Sequence, residues 1–107
     1  MQDAIKPALD MLAAQLTELE TIFEQAQKDL NTVAAGERLV KWKVKTVPLL
    51  ARHLGQREAK RFEDTRPGPS FSNDLLEELS DDVELYRDYL TALTARIKAE
   101  GPADRRS

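Results

Sequence analysis

Apolar residues recur along the first third of the chain with a helical period. Ile5, Leu9, Leu12, Leu16, Leu19, Phe23, Ala26, Leu30 and Val33 are separated by alternating steps of four and three. A 3.5-residue repeat of this kind puts its members on one side of a helix, facing a partner helix. The positions across from it, among them Asp10, Thr17, Glu18, Glu24 and Lys28, are polar. Asp3 is the expected N-cap, and Pro7 follows within the first turns, where its missing N–H matters least.

The last third repeats the pattern. Leu76, Leu79, Val83, Tyr86, Leu90, Leu93 and Ile97 again alternate steps of three and four. Ser72 is placed to cap this helix, with Phe71 and Leu76 forming a hydrophobic staple. Asp74, Glu77 and Glu78 lie near the positive end of its dipole, and Gly101-Pro102 stops it. A second apolar face, Leu85, Tyr89 and Ala92, lies about 120° from the stripe. Such a helix is either central in its bundle or touches another chain.

Between these elements stands GERLVKWKVKTVPLL, Gly36–Leu50. The connection to it falls within Asn31–Gly36, and the helix runs to His53 or Leu54 with Gly55 past its end. On a helical wheel Leu39, Val40, Val44, Val47, Leu50, Ala51 and Leu54 share an arc of about 140°. Arg38, Lys41, Lys45 and Arg52 share a separate arc of about 60°, centred near Pro48. A solvent-facing proline predicts one kinked helix; the alternative is a break, with Pro48 opening a second helix. QREAKRFED then reads as a short helix with Ala59 and Phe62 inward, and TRPGPSFS as a loop. The expected fold is all-α: an antiparallel helical bundle of two long heptad helices, one kinked helix and one short helix, about three-quarters helical. Residues 1–100 form the bundle, and 101–107 a disordered tail or linker.

Size and composition narrow the chemistry. A chain of 107 residues is one domain on length. It has no cysteine, so no disulfide, thiolate zinc site or cysteine nucleophile. No signal peptide or run of ~18 apolar residues is evident, and a cytoplasmic location without membrane contact is expected. His53 is the single histidine and stands near a helix end without a Ser/Asp constellation. Runs such as LLEELSDDVE contain no Glu-x-x-His pair of the di-metal bundles, and phosphate-loop glycine patterns are missing. No catalytic residue, metal ligand, cofactor or small-molecule substrate is assigned.

Charge is uneven. Residues 1–36 carry two basic and six acidic side chains, 37–66 nine and four, and 67–107 five and nine. The basic middle either offsets its acidic neighbours or presents a surface to an anionic partner. The acidic total, with no helix-turn-helix or aromatic RNA platform, disfavours nucleic acid. Trp42 falls between the apolar and basic arcs. It is expected there with a buried ring edge and a wet N–H, or as an interface anchor.

The stretch GERLVKWKVKTVPLLARHLGQREAKRFE, the loop GPSFS and the later ELYRDYLTAL resemble a helical module of bacterial proteins of unknown function. The resemblance spans roughly residues 35–95. In those proteins the module often precedes a variable second domain, and some are associated with phage defence and microbial conflict. The resemblance implies an accessory or adaptor module, although Pro48 and an end at Ser107 without a second domain depart from that arrangement. The sequence thus points to a non-enzymatic interaction module whose candidate surface is Arg38, Lys41, Trp42, Lys45, Arg52, Leu85 and Tyr89. Its expected partner is a protein or a second copy. A homodimer is expected because the middle helix is too short to cover the stripe near Ile5–Leu16. The alternative is a nucleic-acid-associated regulator using the basic arc.

Overall fold

The computed structural model describes residues 2–68 and 74–100, with side chains described from Ile5 onward. Four helices follow in order: α1 (Gln2–Asp29), α2 (Thr32–Leu54), α3 (Gln56–Asp64) and α4 (Leu75–Glu100). Helices make up 91% of the described residues, which contain no strand. α1 packs on both α2 and α4, and α3 packs on α2. The molecule is 46 Å long, matching the ~42 Å that 28 helical residues span.

The buried side of α1 is broader than one heptad seam. Ala8, Met11, Leu12, Gln15, Leu19, Ile22 and Ala26 are buried, while Ile5, Leu9, Leu16 and Phe23 are half-buried. Two overlapping stripes sharing Leu12, Leu19 and Ala26 are what a helix with two neighbours requires. In the stretch near Ile5–Leu16, expected to be left over for a second copy, Ala8, Met11, Leu12 and Gln15 are buried within the chain, while Ile5, Leu9 and Leu16 remain half-buried. Because α1 already includes Gln2, Asp3 sits within its first turn rather than before it.

The link from α1 to α2 is shorter than expected. It consists of Leu30 and Asn31, so Val33 belongs to α2. Leu30 has φ 56°, a left-handed conformation, and its amide still donates to the Ala26 carbonyl. Asn31 caps α2 by accepting from the Ala34 amide at 3.0 Å, while its own amide donates to Asp29 Oδ1 at 2.9 Å. The sharp reversal removes Leu30 and Val33 from the core, and both are 69% exposed. A left-handed leucine costs about 1–2 kcal/mol and packs little here. Leu30→Gly is therefore expected to stabilise the fold by about 0.5–1 kcal/mol, read as a higher Tm; a lower Tm would show that the leucine side chain contributes more than its conformation costs.

α2 continues without interruption through Pro48, whose side chain is exposed. The proline removes the amide that would serve the Val44 carbonyl, and Val44 is solvent-facing, so water can replace it. The buried line of α2 is Ala35, Leu39, Trp42, Thr46, Leu50 and Leu54. Gly55, at φ 101°, joins α2 to α3. Its amide donates to the Ala51 carbonyl and its carbonyl accepts from the Ala59 amide. A side chain at that φ would be strained.

Asp74 caps α4, its carboxylate accepting from the amides of Leu76 and Glu77 at 3.0 and 3.3 Å. The expected Ser72 cap, Phe71 staple and Gly101-Pro102 stop lie outside the described residues. Among the described residues no helix is long and apolar enough to cross a membrane.

Candidate functional site

Four aromatic rings set the geometry of one side of the bundle. Trp42 lies 5.9 Å from both Phe62 and Tyr86, Phe62 lies 5.7 Å from Tyr86, and Tyr89 lies 5.3 Å from Phe62. The cluster joins α2, α3 and α4 through edge-on and tilted contacts, the arrangement ring quadrupoles favour. Trp42 is thus not a boundary residue. It is 2% exposed, and its indole N–H donates to the Gln15 carbonyl of α1 at 3.0 Å. At that exposure it offers a partner almost no surface. The wheel misplaces it because the core of α2 is centred on Trp42 and Thr46, not on the middle of the apolar arc. Thr46 fits there because its hydroxyl bonds back to the Trp42 carbonyl at 2.7 Å and reaches Gln15 Oε1 at 3.3 Å.

That rotation leaves Val40 and Val44 in solvent, 63% and 68% exposed. With Val33, Glu37, Val47 and Ala51 they form a further heptad stripe, spaced 4, 3, 4, 3, 4. Val40, Val44 and Val47 form one wall of a groove of about 710 Å³ between α2 and α4, with Leu79, Asp82 and Tyr86 on the other side. Its polar end is built around Lys43. The ammonium donates to the Thr65 carbonyl and to the Tyr86 hydroxyl at 3.3 Å. It sits 4.7 Å from the Tyr86 ring centroid and 5.6 Å from that of Phe62, within cation–π range. Burial, then the nearby Arg66, pulls the Lys43 pKa below its ordinary value.

Asp82 has the opposite problem. Burial first, and then the carboxylates of Glu78 and Asp81, hold its pKa above the usual carboxylate range. A folded-state pKa raised above the unfolded one means that folding is favoured at low pH and loses that contribution as pH rises through the folded value. Asp82→Asn is therefore expected to be more stable than the parent at pH 7, by about 1 kcal/mol or less after solvent screening. The gain should vanish near pH 3, where Asp82 is protonated in both states. Equal stabilities at both pH values would contradict it.

The basic arc is exposed as expected, but part of it is engaged. Lys45 pairs with Glu18 of α1. Arg38 adds to the lowering of the Asp29 pKa, which owes more to hydrogen bonds from the Asn31 amide and the Gln25 side chain. Arg38, Lys41 and Lys45 line a shallow depression of about 290 Å³ together with Glu18, Ile22 and Trp42. Arg52 lies further along the same exposed face. On the second face of α4, Leu85 and Tyr89 are half-buried against the core and Ala92 is exposed.

The sequence reading missed the most buried charge. Glu58 of α3 has 5% side-chain exposure and accepts from Arg96 of α4 and from the Tyr89 hydroxyl, with Arg61 at 3.9 Å. Burial, followed by the Glu58 carboxylate, pushes the Tyr89 pKa well above its ordinary value. Glu58 stands one turn before Phe62 and next to Ala59, a spacing that places it on the inward face of α3. Among the described residues no three His, Cys, Asp or Glu side chains form a group that could hold a metal ion.

No protein-family profile, curated protein or solved structure matches the chain, so its function has to be argued from the groove and the surfaces around it.

Proposed function

We propose that the chain is a non-enzymatic interaction module, an antiparallel bundle that docks an amphipathic helix of a protein partner in the groove between α2 and α4. One observation carries this reading: α2 has a second heptad stripe, apolar except at Glu37, with Val40 and Val44 exposed at the mouth of the groove. A 3.5-residue repeat on an exposed helix face is shaped for a helix, since knobs on such a stripe fit holes between side chains of a facing helix. The resemblance to bacterial modules that stand ahead of variable domains supports the same accessory role.

Self-association through α1 has only the half-buried Ile5, Leu9 and Leu16 to draw on, since Ala8, Met11 and Leu12 are already buried within the chain. Nucleic-acid binding through Arg38, Lys41, Lys45 and Arg52 loses weight because Glu18 already engages Lys45. Amide chemical-shift mapping separates the readings. Titration with an apolar-striped helical peptide is expected to perturb Val40, Val44, Leu79 and Tyr86. Titration with duplex DNA at physiological salt is expected to perturb nothing. Shifts confined to the basic arc on adding DNA would replace docking with the nucleic-acid reading.

A further inference from the structure

The large apolar side chains left in solvent are not scattered. Among the described residues they are Leu30, Val33, Val40, Val44 and Leu75. Val33, Val40 and Val44 stand on the second stripe of α2, and Leu30 immediately precedes the residue that caps this helix. Leu75 stands one turn before Leu79 of α4, which lines the groove. Single exposed apolar residues are ordinary, whereas a row of them marks a surface that something covers.

The charges around this row narrow what covers it. Four charged side chains line the groove, Lys43, Arg66, Glu63 and Asp82. Two are basic and two acidic, so the lining selects no single sign of charge. Lys43 is besides turned into the chain, onto the Thr65 carbonyl and the Tyr86 hydroxyl. The stripe itself has one interruption, Glu37, and Lys41 follows it by one turn, about 40° away on the helical wheel. Both are exposed, and neither forms an ion pair among the described residues.

We infer that the helix docked on this stripe is α2 of a second copy, laid antiparallel about a twofold axis that passes between Arg38 and Leu39. The inference rests on the docking reading above and names its partner. A twofold axis makes every contact twice. This one sets Val33 against Val44 of the second copy and Val40 against Glu37 of the second copy. It also brings Glu37 level with Lys41 of the second copy, within about 1.5 Å along the helix axes. Each glutamate then has a lysine one turn along its own helix and another across the seam. The four side chains form a square of alternating sign, with like charges on the diagonals. Other arrangements lose this match. A parallel pair would set Glu37 against Glu37, and moving the axis half a heptad to Trp42 would bring Lys41 beside Lys41 and leave Glu37 facing Val47. A single charged residue in an apolar seam fixes orientation and register in this way.

Sedimentation equilibrium over a dilution series tests the pairing. The chain is expected to move from 12.1 kDa towards twice that mass in the micromolar range. Val44→Asp, at a solvent-facing position, should hold it at the monomer mass with unchanged helix content by circular dichroism. Lys41→Glu makes the square wholly acidic and should weaken dimerisation about tenfold or more, as ion pairs become repulsions. Glu37→Lys makes it wholly basic and should do the same. Glu37→Lys combined with Lys41→Glu rebuilds the square with its signs exchanged and should restore the dimer.

A chain that stays at 12.1 kDa at high micromolar concentration would overturn the inference. The docking reading would then be decided separately, by the helical-peptide titration at Val40 and Val44. Dimerisation lost in Val44→Asp but indifferent to the charge reversals would overturn the antiparallel pairing and leave the docking reading standing. Dimerisation that survives Val44→Asp would place the second copy on another surface and overturn the inference as well.

Discussion

Trp42→Ala is expected to destabilise the protein by about 3–5 kcal/mol, enough to leave a domain of this size largely unfolded near its working temperature. The ring is 2% exposed and touches Phe62 and Tyr86 edge-on or tilted. Its loss would leave a cavity at the meeting point of α2, α3 and α4, which the surrounding rings cannot close without separating. Trp42→Phe removes less volume but also the hydrogen bond to the Gln15 carbonyl. That carbonyl can keep its partner within α1, so the cost should fall to about 1–2 kcal/mol. Urea denaturation followed by far-ultraviolet circular dichroism measures both changes, since the tryptophan fluorescence is lost. A cost below about 1 kcal/mol for Trp42→Ala would mean that the aromatic cluster does not hold the helices together.

Arg96→Ala is the second substitution with a large expected effect. Its guanidinium is the closest cation to Glu58, which has 5% side-chain exposure against 33% for Arg96. Breaking a buried pair from one side leaves a carboxylate desolvated and underpartnered, at a typical cost of 3–5 kcal/mol. Two neighbours remain, the Tyr89 hydroxyl and Arg61 at 3.9 Å, so the expected cost is about 2–4 kcal/mol. Replacing both Glu58 and Arg96 by leucine should be far milder than the sum of the two single changes, because no isolated charge is then buried. Additive losses in that double-mutant cycle would show that the two side chains act independently.

The helix count and the long heptad elements were legible in the sequence because periodicity records the average direction of burial. The same average misled where a helix has more than one neighbour. For α1, the expected stripe captured Leu12, Leu19 and Ala26 but assigned core positions to Leu30 and Val33, which the two-residue reversal at Leu30–Asn31 turns out to solvent. For α2, the centre of the apolar arc predicted burial for Val40 and Val44, and the structure exposes both. A wheel cannot tell which part of a wide apolar arc meets α1 and which part meets nothing. Trp42 and Thr46 were hidden by their polar atoms, whose partners, the Gln15 carbonyl and Oε1 and the Trp42 carbonyl, lie in α1 or one turn back. Of the candidate surface, the four basic residues are exposed as expected, Trp42 is withdrawn into the core, and Leu85 and Tyr89 pack within the chain. The groove itself was not legible, since its far wall comes from α4, about 40 residues further along the chain.

The two-residue link between α1 and α2 also bears on the order in which the chain assembles. Joining those two helices closes almost no loop, whereas pairing α1 with α4 brings together segments separated by α2 and α3, at a greater loss of chain entropy. The α1–α2 pair is therefore the natural nucleus, with α4 arriving afterwards to seal the long side of α1 and the aromatic cluster. Substitutions between α1 and α2, such as at Gln15 or Leu39, would then chiefly slow folding. Those on the inner face of α4, such as at Leu90 or Ile97, would chiefly hasten unfolding. Trp42, which contacts α1 through its N–H and α3 and α4 through its ring, provides a single fluorescent reporter for both stages.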